Sequence, residues 1–310
     1  MFYNEDSVSF SRYGPYWREL RKMITLNLLT HHRLEMLKLQ RVSEVEACFK
    51  KLYELWTKRK YDNALVLVDM SKWLLEIPFN VITRIVSGKY NFASKVERYK
   101  NVMEKTRRLM DTLALSDVIP YLGWLDRLRG LDNAMKQVAK ELDSVLQSWV
   151  LEHRQKRVAV SGGTGGLVNV NEEDLEEDFI DIMLSIMEKN QLQSDDPDTL
   201  IKAVVQDQFS NKSVVRIAKL VASVSQQTDV DLKGKNFELI PFGSGRRMCP
   251  GVSFSLQVMH LVLARIIHEF ELKTPTGANI DMSTTLGMIR WKATSLEVLM
   301  APRFEPVFYM

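Results

Sequence analysis

One short segment, 241–251, contains the residues of this chain that are best suited to chemistry. It reads PFGSGRRMCPG and holds one of the two cysteines among 310 residues. The spaced residues of its pattern are Phe242, Gly245, Arg247, Cys249 and Gly251. From the composition of the chain, chance would produce this spacing on the order of once in 10⁵ sequences of this length. Cys249 is therefore a candidate metal ligand or nucleophile, although a lone cysteine is most often a small core residue.

The neighbours of Cys249 suit a thiolate that binds a metal. A thiolate is a strong ligand for soft and borderline metals, and it needs positive potential to stay ionised. The N–H groups of a glycine turn and of a following helix can supply that potential, and Pro250 suits the first position of such a helix. The two glycines of the pattern allow backbone angles or close approaches that a side chain would block. Arg247 can pair with a carboxylate through two N–H groups, and Phe242 can shield the sulfur from water.

A cysteine nucleophile is the alternative interpretation of the same residue. It would need a histidine base within hydrogen-bond reach. His260 and His268 follow Cys249 in the chain, but both lie in the strongly apolar segment 251–270, which predicts a buried helix. We therefore expect both to be ordinary helix residues, and a hydrolase is the weaker hypothesis.

A second candidate pair, Trp17 and Arg21, lies near the start of the chain. Residues four apart on a helix share one face, so both side chains can reach one anionic group. The helix itself is predicted over 16–29, directly after Gly14 and Pro15. Taken alone, a Trp-x-x-x-Arg pair usually means a core residue beside a surface charge.

The elements that must position these residues are mostly helical. Helical patterns, with apolar residues three to five positions apart in 32–60, predict helices over 16–29, 32–60, 70–88, 95–115, 124–157, 174–188 and 251–270. We expect one possible break within 32–60 and a kink or break at Pro78. Segment 237–243 is extended in character, 295–304 predicts a closing strand, and the glycine-rich 160–171 predicts a surface loop. The fold class expected is mainly α with a small β component.

Composition excludes several classes of protein. The 42 basic and 39 acidic residues give a net charge of +3, too small an excess to argue for nucleic acid binding. Two cysteines cannot build a disulfide framework, so a reducing compartment is the default. The longest apolar runs, such as 64–68, are far shorter than the roughly 18–20 residues of a membrane span, and the first ten residues show no signal pattern. Taken as it stands, the chain is expected neither to span a membrane nor to enter the secretory route.

The cysteine segment closely resembles the cysteine loop of the cytochrome P450 superfamily, in its plant microsomal A-type branch. By that resemblance Cys249 is the proximal ligand of iron in heme b (iron protoporphyrin IX), Arg247 binds a heme propionate and Phe242 covers the sulfur. Segment 13–22 resembles the family's helix C, where Trp17 and Arg21 would contact a propionate. The resemblance covers most of the chain: 1–206 resembles helix C to the start of helix I, and 228–310 resembles the heme loop, helix L and the C-terminal strands.

The resemblance implies a heme-thiolate monooxygenase. Such an enzyme hydroxylates a small apolar plant secondary metabolite with O₂ and with electrons that a partner, NADPH-cytochrome P450 reductase, takes from NADPH. Arg18, Lys22, His31 and Arg33, which the resemblance places near the proximal side of the heme, could help to dock an acidic reductase, or they could simply be a solvated face. The family resides on the cytosolic face of the endoplasmic reticulum membrane through an anchor that this sequence lacks, so a cytosolic location is the alternative.

The sequence also departs from the family in its interior, which makes the expected fold an incomplete one. Segment 207–227 stands where the family's helix I continues with an Ala/Gly-Gly-x-Asp/Glu-Thr motif, and it matches nothing in the family. The Glu-x-x-Arg motif of the family's helix K is also missing before the cysteine loop. The chain does contain a Glu-x-x-Arg at Glu104 and Arg107, but it lies far upstream and is expected to be a surface ion pair. A single partial P450 domain over 1–310 is the prediction. The rival hypothesis is a non-catalytic truncated remnant, or a faulty gene model, that binds heme weakly or not at all.

Overall fold

The computed structural model describes the following residues, and the structural statements below concern these alone: 3, 7–60, 65–88, 93–112, 119, 121, 123–161, 178–189, 196–209, 242–275, 277, 280–281, 283 and 292–309. Three predictions fall largely outside them. They are the glycine-rich loop at 160–171 from residue 162 onward, segment 207–227 from residue 210 onward, and the extended segment 237–243 up to residue 241.

Helices dominate the described residues, and a mainly α fold with a small β component is confirmed. The helices are α1 Pro15–Leu28, α2 His31–Met36, α3 Lys38–Arg59, α4 Met70–Ser87, α5 Ala93–Asp111, α6 Gly123–Leu128, α7 Leu131–Ser161, α8 Phe179–Glu188, α9 Pro197–Phe209 and α10 Val252–Glu269. Short 3₁₀ helices occupy Gly245–Arg247 and Pro306–Phe308.

Three short antiparallel strands form one sheet, in the order β1 Val66–Asp69, β3 Glu297–Pro302, β2 Phe270–Lys273. The central strand β3 pairs Met300 with Val66 on one side and Pro302 with Phe270 on the other. The predicted closing strand is thus confirmed, whereas β2, which follows α10 without a break, was not predicted.

Glycine and proline mark the places where the helices differ from the expected pattern. The predicted break within 32–60 occurs at Leu37, between α2 and α3. The predicted helix over 124–157 is instead two helices, because Gly130 at φ +70° adopts the left-handed conformation that ends a helix. Pro78 does not break α4, which runs continuously from Met70 to Ser87.

The described chain divides into two compact units. Unit 1 comprises Met1–Ile24, Ile82–Asn211 and Leu286–Ile289, and unit 2 comprises Thr25–Val81, Lys212–Thr285 and Arg290–Met310. In unit 1 the rings of Tyr99 and Trp149, both fully buried, pack 4.9 Å apart between α5 and α7. In unit 2, Phe49 of α3 packs 6.1 Å from Phe270 of β2 and 5.0 Å from Trp73 of α4. Each unit therefore has an aromatic core of its own.

The apolar run at 64–68 belongs mainly to β1, as its short length requires. None of the helices in the described ranges is long and apolar enough to cross a membrane.

Candidate functional site

The cysteine loop is closed by its own backbone. The N–H of Cys249 donates to the carbonyl oxygen of Phe242 (2.9 Å), and the N–H of Met248 donates to the carbonyl of Gly245 (3.2 Å). Gly243 and Gly245 have φ angles of +74° and +70°, which only glycine adopts without strain. The positive φ of Gly245 therefore supports the prediction that glycine is required there. Glycine is required at 243 for the same reason, which the sequence pattern did not identify.

An apolar cluster lies against the sulfur-bearing side chain. Phe242 is 2% exposed and packs with the buried Met259 of α10, while Cys249 itself is half-buried against this pair. Val252, Leu256 and Leu263, also on α10, pack against the same two residues. The arrangement places apolar surface beside the thiol and leaves part of the cysteine residue accessible.

The start of α10 lies directly after the cysteine. Gly251 is the N-cap residue and Val252 is the first helical residue. Since the first N–H groups of a helix have no partner within it, this terminus offers donors and positive potential close to Cys249 in sequence. Pro250 precedes the N-cap, so the prediction that it occupies the first helical position is wrong by two residues.

Gly251 differs from the other two glycines of the loop. Its φ is −85°, and a Cβ built on it would lie 3.9 Å from Sγ of Cys249, an ordinary contact. Neither its backbone angle nor a contact with the described residues requires glycine at 251. Arg246 and Arg247 are exposed in the 3₁₀ helix, where their guanidinium groups are accessible to an anion.

The second candidate pair has the predicted geometry but carries an additional contact. Trp17 is 3% exposed on α1, and the guanidinium carbon of Arg21 lies 5.4 Å from its ring centre. The pair thus shares one face of the helix, as the spacing predicted. The indole N–H of Trp17 donates to the carbonyl oxygen of Val8 (3.0 Å), a contact that no motif indicated.

The cytochrome P450 family model matches residues 1–211 and 225–300. The chain belongs to the cytochrome P450 family. The match covers most of the chain and includes the cysteine loop, so the family named from its motifs is confirmed. Members of this family carry heme and receive NADPH-derived electrons through a reductase.

Curated P450 relatives from plants match nearly the whole chain. Methyltetrahydroprotoberberine 14-monooxygenase of Papaver somniferum is 36% identical over 413 aligned positions, which cover 98% of this chain and 77% of that enzyme. Protopine 6-monooxygenase of the same species is 34% identical, with 100% of this chain and 75% of the relative covered. Flavonoid-6-hydroxylase of Ocimum basilicum is 30% identical, with 99% and 76% covered. These names support a P450 monooxygenase, which confirms the predicted enzyme class.

The alignments also support the predicted interior departure. The alignment with the first relative is 413 positions long, and this chain has only 310 residues. At least 103 of those positions (413 less 310) are therefore gaps in this P450. The family model leaves out 212–224, the central part of the segment 207–227 that was predicted to match nothing in the family. It does match the two ends of that segment, 207–211 and 225–227.

The cysteine loop fits a heme of the P450 type in the chemistry of its donors. It combines one soft ligand atom, an apolar cover from Phe242, two exposed guanidinium groups and a nearby helix start. Trp17 fits less completely, because its only N–H group already donates to Val8.

The histidines near Cys249 do not support the hydrolase hypothesis. The residues of α10 that pack on the cluster with Cys249 include Val252, Leu256 and Met259, whereas His260 is exposed on another face. His268 is exposed near the end of α10, where its ring lies 4.9 Å from that of Phe304. Each histidine is an ordinary helix residue, as expected.

A group that the sequence did not indicate lies between α7 and α8. His153 is 1% exposed, and its Nδ1–H donates to the carbonyl of Trp149 (2.7 Å) while Nε2 lies 2.6 Å from Oδ2 of Asp178. With Asp181 these residues place three possible ligand atoms within 4.8 Å of one another. A bound metal would hold such atoms about 2.9–3.4 Å apart, given metal–ligand bonds of roughly 2.0–2.2 Å. The 2.6 Å contact is therefore that of a hydrogen bond between His153 and Asp178.

Proposed function

We propose that this P450 is a heme-thiolate monooxygenase in which Cys249 binds the iron of heme b. The observation that supports it best is the closed loop of unit 2, where the Cys249 N–H bonds to Phe242 and the thiol packs against an apolar cluster. The substrate we propose is a small apolar plant secondary metabolite, hydroxylated with O₂ and electrons from NADPH. The relatives support this class, since their names specify alkaloid and flavonoid substrates.

Each residue of the loop has a role in this proposal. When bound, the heme supplies the activation of dioxygen and the electron transfer that side chains lack. Cys249 would bind the iron through Sγ, and the start of α10 follows it directly in the chain. Phe242 excludes water from the sulfur, and Arg247 binds a carboxylate of the cofactor. The glycine conformations at 243 and 245 hold the loop closed.

A carbon monoxide difference spectrum of the purified, hemin-loaded chain tests the ligand. We expect the reduced protein to show the absorption band from which the family takes its name, and Cys249→Ser to lose it. The matched control is Cys48→Ser, which removes the other, buried thiol on α3 and should leave the band unchanged. A heme complex with the same spectrum in wild type and Cys249→Ser would contradict the proposed ligand, and the absence of any heme binding would favour the remnant hypothesis.

The proposed propionate contacts can be separated from the ligand. Arg247, Trp17 and Arg21 are expected to change heme retention rather than the position of the band, because they would contact the carboxylates and not the iron. We expect Arg247→Leu to increase the rate of hemin loss about tenfold, with the band in place. An unchanged rate would remove Arg247 from the site.

The proposed electron donor is NADPH-cytochrome P450 reductase, on the endoplasmic reticulum membrane. Arg18, Lys22 and His31 are exposed, and Arg33 is half-buried. Arg18 and Lys22 therefore offer accessible positive charge to an acidic partner. Replacing Arg18 and Lys22 by Glu should slow reduction of the heme at low salt and have less effect at high salt. Unchanged reduction at low salt would exclude these residues from the docking surface.

A further inference from the structure

Two described stretches before α1, Tyr3 and Ser7–Phe10, are together called the strap. A buried carboxylate on α9 holds the second of them. The hydroxyl of Ser7 donates to Oδ1 of Asp207 (2.7 Å), and the N–H of Val8 donates to Oδ2 (2.7 Å). Burial raises the pKa of Asp207, while bonds from Ser7, Ser9 and Val8 act against that rise. Both carboxylate oxygens are therefore bonded to the strap.

A second anchor holds the strap at Tyr3. The Tyr3 hydroxyl donates to Oδ1 of Asp143 on α7 (2.8 Å), and the ammonium group of Lys202 on α9 donates to the same oxygen (2.6 Å). The Lys202 side chain is 8% exposed and its nitrogen lies 5.6 Å from the centre of the Tyr3 ring. The strap is thus bonded to α9 or its direct neighbour at two places, all within unit 1.

Val8 connects this anchoring to Trp17. Its N–H bonds to Asp207, and its carbonyl oxygen accepts the indole N–H of Trp17 (3.0 Å). An indole has a single N–H donor, so an acceptor from outside the strap must compete with the Val8 carbonyl. The peptide that carries this carbonyl also carries the Ser9 N–H, which donates to Oγ of Ser7 (3.1 Å), and Ser7 in turn donates to Asp207. Movement of the Val8 carbonyl is therefore opposed by the bonds to Asp207. Leaving a buried carboxylate without its donors is costly.

We propose that Asp207 is a positioning residue that controls, through Val8, whether the indole N–H of Trp17 is open to another acceptor. On the proposed function of this P450, that acceptor is a heme propionate, so the strap competes with the cofactor for Trp17. A propionate is a stronger acceptor than a neutral carbonyl, because charged hydrogen bonds are roughly twice as strong as neutral ones. The strap would then slow heme loading or promote heme loss without touching the iron.

The link from Asp207 to Trp17 can be measured without heme. In protein labelled with ¹⁵N-tryptophan, the Trp17 indole signal is identified by its loss in Trp17→Phe. We expect Asp207→Asn to shift this signal and to accelerate its exchange with solvent, because the neutral amide no longer fixes Val8. Ser7→Ala should act in the same direction but less strongly, since it removes one of the bonds. Unchanged exchange in Asp207→Asn would overturn the proposal.

Transfer of hemin to apomyoglobin tests the competition. We expect Asp207→Asn to lose hemin about two- to tenfold more slowly than wild type, the size of one hydrogen bond, and we expect no such effect in a Trp17→Phe background. Faster loss, or the same effect without Trp17, would overturn the competition. Circular dichroism and thermal melting show whether each variant is folded. If none of the proteins binds hemin, the proposed function fails, and the indole exchange still decides the link between Asp207 and Trp17.

Discussion

The cysteine loop and the Trp17 region differ in where their hydrogen-bond partners lie along the chain. Cys249 bonds to Phe242 and Met248 to Gly245, so the loop is closed within its own motif. Trp17 bonds to Val8, nine residues away, and Val8 is held by Asp207, 199 residues away. A motif specifies the first kind of geometry, whereas the second depends on how distant elements pack. The two regions can therefore be tested separately.

The largest expected effect comes from removing the apolar cover of the cysteine loop. Phe242→Ala should lower the free energy of unfolding by about 3–5 kcal/mol, because it deletes a fully packed aromatic ring beside Met259. Chemical denaturation followed by circular dichroism measures it. Phe308→Ala, which truncates a ring that is half exposed, is the control and should cost far less. An equal loss of unfolding free energy in the two variants would show that Phe242 is not part of a packed local core.

Alanine substitutions at three glycines with positive φ distinguish the cost of backbone strain from the cost of a steric contact with a distant residue. Gly130→Ala and Gly245→Ala should each cost about 1–2 kcal/mol of unfolding free energy, because a Cβ there meets open space and only the backbone is strained. Gly88→Ala should cost about 1 kcal/mol more, since its Cβ would lie 2.8 Å from Oδ2 of Asp178. Denaturant titrations of the three variants give the comparison. A cost at Gly88 no larger than at Gly130 would mean that Asp178 moves away freely.

Sequence reasoning succeeded where the physical cause is local. The helices follow from apolar spacing, the break at Leu37 was expected, and the cysteine loop follows from a dense motif. Gly130 was overlooked because the apolar stripe continues across it while the backbone does not. The contacts of Val8, Asp207 and His153 have no spacing rule, since each partner comes from another element. In the candidate site, Trp17 was identified from its spacing, but the carbonyl that occupies its N–H was not.

The His153 cluster should make stability depend on pH with an unusual sign. Burial acts to lower the pKa of His153, but the hydrogen bond and charge of Asp178 outweigh it and raise that pKa. Burial, together with the charge of Asp178, raises the pKa of Asp181 to about 6, against the opposing charges of His153 and Arg157. Both groups bind protons more tightly in the folded state. The free energy of unfolding should therefore fall as pH rises from about 4 to above the His153 pKa.

The expected size of this decrease is about 1 kcal/mol, because Asp181 is half-buried and solvent screens its interactions. Denaturation at a series of pH values measures it. Asp181→Asn should flatten the part of the profile between about pH 4 and 6. Asp132→Asn, which removes the same charge from α7 outside the cluster, should not. A wild-type stability that rises over this range would contradict the assignment.

The smallest expected effect concerns the Glu-x-x-Arg at 104–107. Glu104 pairs with Arg108 rather than Arg107, at 3.2 Å, and both paired side chains are largely exposed (45% and 75%), while the Arg107 side chain lies outside the described residues. Exposed pairs four residues apart on a helix contribute about 0.3–0.5 kcal/mol. Glu104→Gln should therefore change the free energy of unfolding by no more than that, and less in high salt. A loss above about 2 kcal/mol would instead indicate a buried ionic network of the kind that the family builds in helix K, and would contradict the interpretation as a surface pair.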